Sequence, residues 1–248
     1  MFEALRTARA LLRSLRIYYG DRARARAMDE LYRRFVKPGD LVFDIGAHVG
    51  DRIAAFRRLG ARVIAVEPQP AFARLLRLIY ARDGQVAIRQ TAVGAAAGTI
   101  DLMVNVDNPT VSTASRDFVQ SARGARGWER ETWSRSIRVP VTTLDALIGE
   151  FGLPAFIKLD VEGFEAKALA GLHRPVAALS FEFTTIQRAV ALACVERCAA
   201  LGLARFNAAL GESQTFVHAD WLDCAGITRW LTALPHEANS GDVYAVRA

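Results

Sequence analysis

The segment Asp44-Ile45-Gly46-Ala47-His48-Val49-Gly50 puts an acid, two glycines and an imidazole into one short stretch. The glycines allow a tight turn and let a ligand approach the backbone closely. A second acid, Glu67, ends an apolar run just before Pro68. At the end of a strand, such a carboxylate can accept both hydroxyls of a ribose. Asp160 and Glu162 lie just before Gly163. Two neighbouring carboxylates can orient an alcohol, take its proton or hold a divalent cation. They can also do something plainer, with Asp160 capping a helix while Glu162 faces solvent. Glu182, near the end of a later apolar run, is a third candidate base.

Spacing narrows the ligand of the first segment. Dinucleotide folds place three glycines as G-x-G-x-x-G, so that a pyrophosphate can sit on a helix N-terminus. Here glycine occupies only the first and fifth positions of Gly46–Gly50, and Asp44 precedes the loop. An acid there repels a pyrophosphate and suits the ammonium group of a methionine moiety. The pattern favours S-adenosylmethionine over a nicotinamide dinucleotide. Asp44, Gly46, His48, Gly50 and Glu67 are therefore the cofactor candidates. His48 either touches the cofactor or substrate, or only shapes the turn.

These residues need elements to hold them. Leu41–Ile45 reads as a strand and residues 50–59 as a helix. Arg62–Glu67 is a second strand, 70–82 a helix and Val86–Gln90 a third strand. After a break the rhythm resumes. Thr143 caps a helix, Ala155–Asp160 is a fourth strand, 163–172 a helix, Val176–Phe183 a fifth strand and 186–201 a helix. Segments 204–207, 214–217 and 243–246 read as late strands. This alternation predicts an α/β fold with a parallel sheet and right-handed crossovers. In such a sheet ligands bind outside the carboxyl ends of the strands where strand order reverses. Strands one and four flank that point, which puts Asp160 and Glu162 beside the Asp44 loop. The break, residues 98–140, opens with a candidate strand at 99–104 and continues polar and Arg-rich. It is either a lid or substrate wall, or a surface elaboration. Trp128 and Trp133 within it could stack on a sugar or be core.

The formal charge of +6 is concentrated in residues 1–38, which hold ten basic and four acidic groups; the other residues hold 22 of each. A neutral body argues against an enzyme that tracks nucleic-acid phosphates. The first 19 residues read as a helix with Leu5, Ala8, Leu11, Leu12, Leu15 and Tyr18 on one arc and Arg6, Arg9, Arg13 and Arg16 beside it. Gly20 and Asp21 break it, and Asp21 caps a second helix to Val36. This arm, residues 1–38, either docks on an acidic membrane surface or partner, or packs on the domain of residues 39–248. The arginines interrupt any secretory apolar run, and no stretch is long and apolar enough to span a membrane, so a cytoplasmic place is expected, with peripheral membrane contact one of the two readings of the arm. Three cysteines, Cys194, Cys198 and Cys224, suit a reducing compartment and read as small buried residues.

Three stretches together resemble the FkbM-type methyltransferases, a class I S-adenosylmethionine-dependent family. They are Leu41–Gly50 followed by Val66-Glu67-Pro68; Val139–Asp145; and Ile157–Glu165, with its Lys-x-Asp-x-Glu-Gly segment. The resemblance covers about residues 37–185. It implies a Rossmann-like, mostly parallel seven-stranded sheet with an antiparallel C-terminal hairpin. It also implies O-methylation, commonly of sugars, glycans or hydroxylated natural products. Asp44, Gly46 and Gly50 would then border the methionine part, Glu67 the ribose, and Thr91-Ala92 the adenine. His48 departs from the family, which usually has Asn there, and the Arg-rich arm is a second departure. The rival readings are a nicotinamide-dependent oxidoreductase and a non-catalytic cofactor-binding scaffold.

Overall fold

The computed structural model describes residues 2–247; the side chains of residues 2–8 and of Ala10 lie outside the described residues, and with them the predicted face positions Leu5, Arg6 and Ala8. Two helices come first, α1 (Phe2–Tyr19) and α2 (Arg22–Tyr32). Then follow β1 (Leu41–Ile45), α3 (Asp51–Arg58), β2 (Arg62–Val66), α4 (Pro70–Ile79), β3 (Val86–Arg89) and β4 (Ala92–Val93). The middle of the chain holds β5 (Gly98–Val104), α5 (Arg116–Ala122), β6 (Arg135–Thr142), α6 (Leu144–Phe151) and β7 (Phe156–Leu159). It closes with α7 (Glu165–Leu169), β8 (Ala178–Thr184), α8 (Arg188–Ala200), β9 (Leu203–Leu210), α9 (Cys224–Ala233) and β10 (Ser240–Arg247).

The main sheet has seven strands in the order β3-β2-β1-β7-β8-β10-β9. The first five are parallel, and β10 runs antiparallel to both β8 and β9. This is the seven-stranded sheet that the resemblance implies. Strand order reverses between β1 and β7, as the alternation predicts. The strands read as nearly continuous apolar runs because both faces are covered. Phe43, Ile45, Ile64, Ile157, Leu159 and Phe181 belong to one core. Val42, Val63, Ala65, Phe156 and Tyr244 belong to the other. Alternate residues thus serve opposite faces, as period-2 geometry requires.

Asp21 does cap α2, accepting from the backbone N–H of Ala23 and Arg24. The helix is not a loose arm: Met28, Leu31 and Tyr32 are buried beside Phe56 and Phe156. Thr143 caps α6 by accepting from the Ala146 N–H. Three details differ from expectation. Segment 214–217 is not a strand: along the outer edge of β9 only the Val217 N–H reaches the Ala208 carbonyl before the chain meets Phe206 again at Leu222, too few bonds for a ladder. Phe216 instead packs against Trp221 and Tyr244. The helix expected at 163–172 is also shorter, and α9, whose Ile227 and Leu231 lie one turn apart and are buried, is an element that the sequence reading does not assign.

Residues 98–140 supply β5 and most of β6, which join β4 in a small second sheet, β4-β6-β5, while α5 packs in a separate cluster with Ile186. Trp128 and Trp133 both set their rings edge-on against Phe118 in a local core. Among the described residues no helix is long and apolar enough to cross a membrane.

Candidate active site

A cavity of about 890 Å³ opens at the carboxyl ends of β1, β2 and β7. Its floor is the turn after β1. The N–H groups of Gly46 and Ala47 both donate to the Val66 carbonyl, at 2.9 and 3.0 Å, which pins the turn to the end of β2. Gly46 has φ +88°, and a Cβ there would lie 1.7 Å from the Asp160 carbonyl oxygen. Only glycine permits this contact. The same contact holds the cofactor loop against the Asp160 turn. Gly50 acts differently: it opens α3 with φ +83°, and a Cβ would meet Leu76 at 2.7 Å. It shapes the turn and is not among the residues that line the cavity.

Asp44 is 1% exposed, and its Oδ2 has no hydrogen-bond partner among the described residues. Burial, then the charge of Asp51, pushes its carboxyl up to about 7. An orphaned buried carboxylate facing a cavity is suited to a cationic ligand group. Glu67 accepts from the His48 N–H at 2.9 Å and the Gln69 N–H at 2.7 Å. Those bonds fix its position, while burial raises its carboxyl to about 8. Each of its oxygens keeps a further lone pair for a hydroxyl donor. Thr91, Ala92 and Val93 form the wall beyond Glu67, with Leu102 from β5.

His48 has φ +45°, a conformation uncommon for any residue but glycine. Its ring stacks on Phe72 and meets Tyr18 edge-on, with centroids 4.7 and 5.5 Å away. Nε2 lies 3.4 Å from the Ser14 hydroxyl and 3.5 Å from that of Thr110. Desolvation lowers its pKa to about 4, so the imidazole is neutral. His48 thus both shapes the turn and lines the cavity. It also links α1 to the cofactor loop, a link that Tyr19 strengthens by donating to the Val49 carbonyl.

The opposite wall carries the acids. Lys158 is 1% exposed and bonds Asp242 at 2.7 Å and Asp160 at 3.1 Å. The turn that follows is held by Glu165, whose Oε1 accepts from the N–H groups of Val161 and Gly163. Glu162 sits between them with φ +55° and 7% exposure. Oxygens of Asp160, Glu162 and Glu182 lie within 4.8 Å of one another. At an effective dielectric constant of 20, each such pair of charges repels by roughly 3 kcal/mol. Burial first, then the charge of Asp160, raises both the Glu162 and Glu182 carboxyls well above the usual range. Glu182 faces a smaller neighbouring cavity of about 200 Å³, not the main one. The three candidate acids therefore do converge, although β8 brings Glu182 in from behind.

Several lining residues carry no motif of their own. Arg24 and Arg52 each bridge Asp51 and Glu212, at 2.6–3.0 Å, and clamp α2, α3 and the segment after β9 into one rim. Tyr18, Thr110 and Ser112 complete the mouth. Strand alternation marks Lys158, since it shares a face with Asp160. The rim and the mouth come from distant segments and leave no local signal. Six carboxylates and two cations line the cavity, Arg52 and Lys158 being the cations. That balance disfavours a pyrophosphate and accommodates a cationic sulfonium. Cys194, Cys198 and Cys224 are all free, the first two buried in the core.

Residues 44–223 match a family model described as the methyltransferase FkbM domain. No curated protein matches the sequence. Solved structures of similar fold include an O-methyltransferase from Bacillus cereus in complex with SAH, at 11% identity and TM-score 0.46, covering 96% of this chain and 90% of that one. A precorrin-6y C5,15-methyltransferase from Geobacter metallireducens GS-15 shows 11% identity and TM-score 0.42, covering 91% and 87%. A fibrillarin from Aeropyrum pernix with bound S-adenosyl-L-methionine shows 12% identity and TM-score 0.45, covering 86% and 68%.

Proposed function

The chain belongs to the FkbM methyltransferase family, and on that premise we propose that it methylates a hydroxyl oxygen of a sugar, glycan or hydroxylated natural product. It is an S-adenosylmethionine-dependent methyltransferase with a Rossmann-like class I fold. The reading of oxygen as the acceptor rests on one observation: carboxylates of Asp160, Glu162 and Glu182 gather where the Asp160 turn touches Gly46. An alcohol is a weak nucleophile until its proton leaves. Acids held at this point are what such an acceptor needs.

S-adenosylmethionine supplies an activated methyl and its leaving sulfide. In this reading Asp44 takes the ammonium, Glu67 the ribose hydroxyls, and Thr91 and Ala92 flank the adenine. Gly46 and His48 set the loop, and Gly50 starts the helix behind it. Asp160 and Glu162 orient the acceptor hydroxyl and receive its proton, with Glu182 supporting them. Thr110 and Ser112 bring residues 98–140 to the mouth as a substrate wall. The test pairs Asp160→Asn and Glu162→Gln with methyl transfer to a panel of polyhydroxylated acceptors. Turnover falls about a hundredfold or more with S-adenosylhomocysteine binding retained, and the product is a methyl ether. Unchanged turnover in both variants, or a methyl on carbon or nitrogen, refutes the reading.

A second proposal concerns α1. Arg9, Arg13 and Arg16 are exposed and make no ion pair among the described residues. Leu12 and Ile17 beside them are 59% and 54% exposed. Exposed arginines flanked by apolar side chains suit an anionic membrane surface. The charge-neutral body offers nothing comparable to nucleic acid. Co-sedimentation with phosphatidylserine vesicles, lost when the three arginines become Gln, is the expected result. Equal sedimentation of both forms retires the idea.

A further inference from the structure

The acids at the Asp160 turn outnumber the cations that could balance them. Lys158 is the cation in contact, and it is engaged by both Asp160 and Asp242. Glu162 and Glu182 have no cationic partner within ion-pair distance among the described residues. Glu162 is 7% exposed and its side chain lines the main cavity. The Oε2 of Glu182 is fully buried and unpartnered. So is the Oε1 of Gln187, which lines the same small cavity as Glu182 and stands 2.4 Å from where a Gly163 Cβ would be. Buried oxygens without donors are rare in native proteins, and each calls for an explanation such as an ion. Here two line one small cavity, and Glu182 also lies within 4.8 Å of Asp160 and Glu162.

We infer that Asp160, Glu162 and Glu182 bind one hard divalent cation, of the magnesium or manganese type, and that the acceptor's hydroxyl reaches the methyl group as a ligand of that cation. The inference deepens the O-methyltransferase reading above and rests on it for its second half. Chemistry selects the metal class. The donors are carboxylate oxygens, with no His or Cys among them, which suits hard cations and not zinc or copper. Geometry sets where an acceptor could bind. Asp160 is the member most open to solvent, with 34% of its side chain exposed. Glu162 and Glu182 close the buried side. Coordination positions left by the protein thus face the main cavity, where Asp160 and Glu162 are both in the wall. A metal-bound hydroxyl loses its proton more readily. The proton can leave to solvent through the open side of the main cavity, as the oxygen–methyl bond forms and the sulfur–methyl bond breaks.

The arrangement also accounts for Glu165 as a positioning residue. Its carboxylate takes two backbone N–H groups of the turn and holds Glu162 in a left-handed conformation that would otherwise be unfavourable.

The test uses the full chain and Mn²⁺ alone, with no acceptor present. Electron paramagnetic resonance follows the loss of free-ion signal as protein is added. Wild-type protein takes up one Mn²⁺, and Mg²⁺ competes for it. Glu162→Gln and Glu182→Gln, near-isosteric changes, each weaken uptake by at least about tenfold, the cost usual even for residues that only support a ligand. Circular dichroism establishes that the variants are folded. Absence of uptake at millimolar Mn²⁺, or equal uptake by wild type and both variants, overturns the site. S-adenosylhomocysteine binding, measured by calorimetry on the same samples, separates the two levels. A chain that binds it but no Mn²⁺ keeps the methyltransferase reading and loses the cation. A chain that binds Mn²⁺ through these residues but no S-adenosylhomocysteine keeps the cation and loses the cofactor reading.

Discussion

Replacing Lys158 by Met tests how the acid wall is held. The Lys158 ammonium is 1% exposed and lies 2.7 Å from Asp242 and 3.1 Å from Asp160. Asp242 is itself 5% exposed, so its charge has little access to water. Methionine fills the space but removes the charge, leaving two carboxylates without their common partner. Removing one side of a buried ion pair costs about 3–5 kcal/mol. For a chain of this size each kcal/mol shifts the melting temperature by about 2–4 °C, so a fall of roughly 6–20 °C follows. Differential scanning fluorimetry without ligand reads it. The double variant Lys158→Met with Asp242→Asn recovers part of the loss, because the more buried charge is then gone. A fall under about 2 °C for the single variant, or a double variant less stable than the single, refutes the claim that the charge of Lys158 holds this wall together.

Gly46→Ala places a methyl group 1.7 Å from the Asp160 carbonyl at a φ of +88°, so it should abolish S-adenosylhomocysteine binding and lower stability markedly; calorimetric binding near the wild-type value contradicts the contact. Asp44 and Glu67 have carboxyls raised to about 7 and about 8, so the folded chain keeps protons that the unfolded chain releases near pH 4. Their contribution is complete below pH 4 and lost as pH rises through 7 to 8. The ligand-free melting temperature should fall between pH 5.5 and 8.5, and Asp44→Asn with Glu67→Gln should flatten that slope; an unchanged slope in the double variant refutes the assignment. EDTA should abolish methyl transfer and added Mg²⁺ restore it, whereas full activity in EDTA removes the cation from the reaction.

The parallel core was legible because its strands are largely apolar and three of them, β1, β2 and β7, run directly into Gly, Pro or an acid. Asp44, Glu67 and Asp160 stand at those ends, so their convergence followed from topology alone. Gly46 could be read as a close-approach glycine, but the atom it approaches, the Asp160 carbonyl, lies in another strand. What stayed hidden depends on contacts between distant segments. His48 could not be assigned between shaping the turn and lining the cavity, because its environment is built by Ser14, Tyr18, Phe72 and Thr110 from three other segments. Glu182 was named as an acid near a strand end, but its approach from behind the turn requires β8 to pair with β7. The Arg24–Asp51–Arg52–Glu212 rim joins residues as far as 188 positions apart, and no local pattern carries such a signal. Segment 214–217 alternates like a strand yet touches the open edge of β9 through Val217 alone, because Phe216 turns to pack on Trp221 and Tyr244.

The central claim is that the cavity beneath the Asp44–Gly50 turn holds S-adenosylmethionine, with Asp44 taking its ammonium group. Calorimetric titration with S-adenosylhomocysteine tests it most directly, on wild-type protein and on Asp44→Asn, with NADH as the competing ligand. One molecule should bind per chain, and Asp44→Asn should weaken it by roughly 10- to 100-fold, the worth of one hydrogen bond to a charged group, while NADH gives no heat. Equal affinity in Asp44→Asn, or displacement of S-adenosylhomocysteine by NADH, would contradict it.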